Sequence, residues 1–130
     1  MRYSYRAVSK GIFAPIINLE IWTDGRWLEV DAYVDSGATY SIFHTDVAAI
    51  LGINYSNGRK LMIRVGDGKL IPVYLHKLPV KFAGYKFAAV IGFSANLGVG
   101  FNLLGRVDFF DRFRICFNDK EKIIDATYLS

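Results

Sequence analysis

At 130 residues, 52% of them hydrophobic and 15% aromatic, the chain has the length of one ordinary domain and enough apolar side chain to fill a core, which excludes a disordered polypeptide. Against 12 acidic residues stand 16 basic ones, a formal charge of +4, but the basic residues are scattered from Arg2 to Lys122 with no run longer than Arg59-Lys60, so they read as a solvated surface and not as a nucleic-acid footprint. The single cysteine, Cys116, excludes an intrachain disulfide framework and fits a reducing compartment.

In chain order, the apolar stretch from Gly11 to Ile17 is interrupted by Pro15 and ended by Asn18 and Glu20. It is too short to span a bilayer and lacks a small-residue cleavage site, so the sequence predicts a soluble, cytoplasmic protein without membrane contact. Alternation with a period of two then dominates and predicts a mainly β fold. Ile17, Leu19 and Ile21 form one strand, Thr23-Asp24-Gly25-Arg26 has hairpin turn chemistry, and Trp27 to Val34 is the returning strand. That strand runs directly into Asp35-Ser36-Gly37, where the glycine permits a sharp turn and leaves a carboxylate at a strand end.

Thr45 is expected to cap a short helix over Asp46 to Leu51, stopped by Gly52. Lys60 to Val65 and Lys69 to Leu75 flank Gly66-Asp67-Gly68 and predict a long hairpin with a mobile tip. Strands over Pro79 to Ala83 and Tyr85 to Phe93 turn at Gly84, and Ser94 to Gly100 is a loop of small residues. Phe101, Leu103 and Leu104 lead into Gly105-Arg106, and a second short helix is expected over Val107 to Asp111. Strands over Phe113 to Phe117 and Lys122 to Ala126, joined by Asn118-Asp119-Lys120, finish the chain. No linker or repeat divides it, so residues 1 to 130 are expected to form a single domain.

The strongest chemical signal pairs Tyr33-Val34-Asp35-Ser36-Gly37-Ala38-Thr39 with Phe101-Asn102-Leu103-Leu104-Gly105-Arg106. Alone, an Asp-Ser-Gly tripeptide is weak, because glycine makes up about 7% of ordinary chains. The hydrophobic strand feeding the Asp, the glycine-tipped hairpin and the second apolar strand ending in Leu-Leu-Gly-Arg narrow the reading. Over residues 27 to 118 this arrangement resembles the retropepsins, the retroviral-type aspartic proteases, and especially their small single-domain bacterial and archaeal members.

The resemblance implies an all-β, mainly antiparallel acid-protease barrel with one or two short helices, acting as a homodimer on an extended peptide. It implies that Asp35 is catalytic and that Ser36, Gly37, Ala38 and Thr39 support the active turn. Gly66, Asp67 and Gly68 become the tip of a flap over the substrate, and Leu103, Leu104, Gly105 and Arg106 the element packed beside the turn. Ser36 is then a hydroxyl bracing two turns across the interface, the alternative being an ordinary turn serine.

Chemistry requires the same pairing. Hydrolysis of a peptide bond without a metal needs one carboxylate to take a proton from water and a neighbouring carboxylic acid to polarise the carbonyl. A chain with one such turn therefore needs a partner, and an isologous two-fold dimer turns a single Asp35 into a pair.

This chain departs from the family where an acidic residue often follows Asp-Ser/Thr-Gly-Ala and pairs with the Arg of Gly-Arg, since Thr39 and Tyr40 stand there. Asp108, Asp111, backbone carbonyls or solvent are the open partners of Arg106. The segment before Trp27 either pairs at a dimer interface or covers a sheet edge. Ala38, Ile42, Val65, Ile71, Leu103 and Leu104 are expected to wall apolar substrate pockets, with recognition by strand addition.

Other constellations are weaker. His44 and His76 are too few for a metal site, Gly98 and Gly100 lack the Lys and helix of a phosphate cradle, and Ser41, His44 and Asp46 lie too close in sequence to converge as a triad. No metal, cofactor or nucleic-acid partner is therefore predicted. Cys116 is expected to be a packing thiol. The competing reading is a peptide-binding or assembly module with the same fold and no activity.

Overall fold

The computed structural model describes residues 1–130. β1 (Arg2–Ser4) is followed by an exposed hairpin of β2 (Arg6–Ser9) and β3 (Ile12–Ala14). In β4 (Ile16–Thr23) the side chains of Ile17, Leu19 and Ile21 turn inward while Asn18 and Trp22 face out. β5 (Arg26–Val34) pairs with it antiparallel, in the register Trp22↔Trp27 and Thr23↔Arg26. Asp24 and Gly25 close this hairpin at φ 46° and 79°, the two-residue turn whose twist matches the strands it joins.

β6 (Ser41–His44) leads into α1 (Thr45–Ile50). The helix stops at Gly52, which has φ 72°, in the left-handed conformation that glycine adopts at little cost. Its N-cap is His44 and not the expected Thr45, and no side chain caps it. The reason is that β6 continues in extended backbone through His44, whose N–H is taken by Asn102 at 2.9 Å. A 3₁₀ turn over Tyr55–Asn57 precedes β7 (Arg59–Arg64), β8 (Leu70–Phe82) and β9 (Tyr85–Ser94).

β8 joins what alternation predicts as two strands. Ile71 and Val73 are buried in its first half but Val80 and Phe82 in its second, so the inward parity changes from odd to even within one strand. Its first half pairs with β7 and its second with β9. The switch follows from two separate cores: Ile71 and Val73 pack with Ile42 and Leu97, while Val80 and Phe82 belong to the larger core with Ile21, Phe93, Phe109 and Phe113.

β10 (Leu103–Leu104) is short but central, lying parallel to β5 and antiparallel to β6. The order is β4-β5-β10-β6-β9-β8-β7, and a further β4–β8 pairing brings the ladder back on itself. The expected second helix is instead a wide turn over Arg106–Phe110, in which Val107 and Asp108 leave helical space. Two bonds account for this: the Val107 N–H donates to Thr39 O at 2.9 Å, and the Asp108 carboxylate accepts from Val90 N at 2.8 Å.

β11 (Phe113–Asn118) and β12 (Ile123–Tyr128) complete the chain, and β1 pairs along the outer edge of β12. The N-terminal strand thus covers a sheet edge. Cys116 is exposed, contrary to the expected packing role, because Phe113 and Ile115 take the inward positions of β11. The fold is mainly antiparallel β. No helix is long and apolar enough to cross a membrane.

Candidate active site

The end of β5 is tied to β10 before the chain turns. Tyr33 N donates to Asn102 O at 2.7 Å and Asp35 N to Leu104 O at 2.9 Å. The turn then closes by Ala38 N donating to Asp35 O at 3.2 Å. Within it, Gly37 N donates to Asp35 Oδ1 at 2.8 Å, a charge-assisted bond that orients the carboxylate. A Cβ at Gly37 would lie 3.1 Å from that same oxygen, so the residue that holds the carboxylate also needs to be small. Ser36 is exposed beside it.

Beyond β10 the chain is stitched to the far side of the turn. Arg106 N donates to Ala38 O at 2.8 Å, and the Val107 bond to Thr39 O continues the seam. A Cβ at Gly105 would lie 2.5 Å from the carbonyl carbon and oxygen of Tyr40 and 2.8 Å from Ala38 O; all three are backbone atoms with no freedom to withdraw. Gly105 N donates to the fully buried Ser41 hydroxyl at 2.9 Å. Arg106 donates through Nη2 to Thr39 Oγ1 at 3.1 Å, so the residue in the acidic position of the family is its partner. Asp108 is excluded from that role because Arg112 takes it, at 3.0 Å.

The β7–β8 hairpin meets this turn through Val65 and Gly66, which line the same cavities as Asp35. Its tip is closed by Gly68 N donating to Val65 O at 2.8 Å, and Asp67 Oδ1 accepts from Lys69 N at 2.9 Å. Asp35 sits between two cavities, and Val65, Gly66 and Leu103 line both of them with it. One, about 340 Å³, extends toward Ala38, Thr39, Tyr40 and Ile42. The other, about 480 Å³, extends toward Asp67, Leu97 and Phe101.

Of the expected pocket walls, Ala38, Ile42, Val65 and Leu103 line a cavity. Leu104 does not: it is fully buried in the large core, as its opposite parity to Leu103 on β10 requires. Ile71 is also absent from the walls and buried in the smaller cluster beneath the hairpin.

Sequence reasoning missed three contributors. Tyr33 and Phe101 stack with ring centroids 4.8 Å apart at 21° and form a wall of the larger cavity. Asn102 accepts from His44 N through Oδ1 and donates through Nδ2 to Asp31 O at 2.8 Å, bridging β5 and β6 across β10. The position of Asn102 one residue before β10 was the available signal, since a side-chain amide there reaches both neighbours.

A larger cavity of about 530 Å³ lies between the N-terminal segment and β4, lined by Tyr3, Arg6, Asn18 and Lys81 among others. It shares no residue with the cavities beside Asp35. Neither Asp35 nor the Val65–Gly66 end of the β7–β8 hairpin lines it, whereas both line the other two cavities. No three His, Cys, Asp or Glu side chains come together as a metal-binding group.

No family model and no curated protein matches the sequence. Solved structures do match. A retropepsin-like aspartic protease from Rickettsia conorii is similar with a TM-score of 0.68 and 18% identity, covering 98% of this chain and 91% of that one. The EIAV protease complexed with the inhibitor HBY-793 is similar with a TM-score of 0.54 and 19% identity, covering 77% of this chain and 88% of its own. With β10 threaded between β5 and β6 beside the Asp35 turn, the chain has the retropepsin-like fold.

Proposed function

We propose that the chain is one subunit of a homodimeric aspartic endopeptidase. The observation that carries this reading is the Asp35 carboxylate, held by Gly37 N–H at a strand end and open to cavities on both sides beneath the β7–β8 hairpin. A two-fold axis through the exposed face of the turn sets Asp35 against its twin, with Ser36 beside the axis as a brace. Two such carboxylates about 3 Å apart cannot both ionise, so the pair holds one proton. The ionised member takes a proton from the attacking water while the protonated one donates its proton to the carbonyl oxygen; as the C–N bond breaks, the proton taken from water passes to the leaving amine and the oxygen's proton returns to the dyad, which again holds one.

The hairpin acts as a flap whose tip is Gly66, Asp67 and Gly68. The substrate lies extended between flap and turn, its main chain hydrogen-bonded and alternate side chains directed into the two cavities. The similarity to known aspartic proteases supports this reading through the fold alone. A mixed peptide library incubated with the wild type and Asp35→Ala from acid to neutral pH tests it, with molar mass recorded for both. Cleavage is expected from the wild type only, with a loss of about a thousandfold or more. Cleavage by the variant defeats the assignment of Asp35, and dimers that never cleave point to the silent peptide-binding module.

A further inference from the structure

The β2–β3 hairpin stands outside both apolar cores. Its two strands form a sheet of their own that pairs with no other strand. No apolar side chain from Ala7 to Ala14 belongs to either buried cluster or packs against one. Val8, Ile12 and Phe13 are nevertheless large and apolar, at 52%, 58% and 46% exposure. A lone two-stranded hairpin is barely stable in water, and the bonds that tie this one to the body lie at its base. Arg6 donates to Asp31 and, at 2.9 Å, to Asn18 Oδ1, and Val34 N donates to Pro15 O at 2.9 Å.

The register of β4 on β5 places this arm. Ile16 is paired with Tyr33, so Pro15 lies level with Val34, and the chain enters from Ala14 at the level of Asp35. The arm and the active turn therefore leave the same end of the β4–β5 ladder. Within the arm Phe13 pairs with Ala7 and Ile12 with Ser9, so each face carries one large apolar side chain. Val8 sits in the register shift between Ala7 and Ser9. Both outer edges are unpaired, and free N–H and C=O groups beside exposed apolar side chains are the combination that natural sheets keep covered.

We infer that the β2–β3 arm docks on a second copy of this chain, in the two-fold dimer that sets Asp35 against its twin. The inference rests on the dimeric reading for the position of the axis but makes a separate claim about what holds the subunits together. Two-fold symmetry repeats the contact, one arm from each subunit. The position selects a second copy, because any other protein at this end of the ladder competes with the partner subunit for the same face. A membrane surface fits poorly. The tip is Lys10-Gly11, with the apolar side chains on the strands behind it, and Arg6 is already engaged by Asp31. Lys10 is then the arm's one cation without an acid, where a membrane-surface segment relies on several.

Hydrogen exchange over residues 6 to 14 of the full-length wild type is followed across protein concentrations that span the dimer Kd found by sedimentation equilibrium. The arm amides are expected to exchange at least about tenfold more slowly in the dimer than in the monomer. Sedimentation is repeated on a variant that combines Val8→Ser, Ile12→Ser and Phe13→Ser. These changes lie outside both cores and leave the fold intact, as circular dichroism checks. The dimer Kd is expected to rise by at least about tenfold, the effect of losing one large apolar side chain from an interface. At concentrations where the variant is fully dimeric, kcat/KM is expected to match the wild type.

An unchanged Kd in the variant overturns the inference and leaves the peptidase intact. So do arm amides that exchange equally fast in monomer and dimer. An arm protected in a dimer that cleaves no peptide overturns the peptidase and keeps the arm. A wild type that stays monomeric at every concentration overturns both. Flotation of that wild type, but not of the variant, with phosphatidylglycerol vesicles then assigns the arm to a membrane surface instead.

Discussion

Two glycines set the geometry around Asp35 through what they lack. Gly37 leaves room for the carboxylate that its own N–H holds, while Gly105 lets β10 pass within backbone contact of Ala38 and Tyr40. Gly105→Ala is therefore expected to cost about 1–3 kcal/mol of stability, as other overpacked sites do, and to reduce cleavage further by displacing the turn. Thermal unfolding and kcat/KM measured together check it; an unchanged melting temperature would show that the seam yields. Tyr3 carries a second residue-scale prediction. Burial raises its phenol above the ordinary 10.0, partly opposed by the hydrogen bond from Ala83 N. The folded chain thus keeps a proton that the unfolded chain releases above pH 10, so stability is full below that pH and falls as pH rises through it. Urea midpoints are expected to decline above pH 10. In Tyr3→Phe the decline should be shallower, at a cost of about 1 kcal/mol near neutrality for the lost acceptor.

At the scale of elements, β8 divides its work between two cores. Val73 and Val80 are both fully buried, yet Val73 packs in the small cluster with Ile42, Ile71 and Leu97 and Val80 in the large one. Truncating either to Ala removes two methyl groups and is expected to lower stability by about 2 kcal/mol. The functional effects should differ, because the small cluster is the seat of the hairpin over Asp35. Val73→Ala is expected to reduce kcat/KM several-fold at a temperature where both variants are folded, and Val80→Ala to leave it near wild type. Equal kinetic losses would show that hairpin and main core act as one unit.

At the scale of the whole molecule, the proposed dyad makes activity a property of pairs. Mixing equal amounts of wild type and Asp35→Asn, with exchange of subunits, is expected to leave about a quarter of the wild-type rate at the same total concentration, because only one pairing in four has two aspartates. A rate of one half would mean that each chain works alone and would end the dyad proposal. Specific activity should also fall on dilution as dimers dissociate.

What was legible in the sequence was local. Asp24-Gly25 announced its turn because left-handed backbone has few takers, Ile17 to Ile21 announced a half-buried strand through alternation, and Asp35-Ser36-Gly37 announced a carboxylate at a strand end. The retropepsin-like fold, too, was readable from the pairing of that turn with Leu103-Leu104-Gly105-Arg106. The misreadings fall where a distant contact overrides the local pattern. Alternation divides β8 because two cores reverse its parity, Leu104 reads as a pocket wall because a two-residue strand shows no period, and Val107 to Asp111 reads as a helix because nothing near Val107 reveals its bond to Thr39. The Tyr33–Phe101 wall, the Asn102 bridge and the pairing of Arg106 with Thr39 each join residues more than 50 positions apart. A sequence encodes its turns and alternations within a few residues, where steric limits act on the chain itself. Which side chains meet around Asp35 depends on how the sheet closes, and only the tertiary structure decided that.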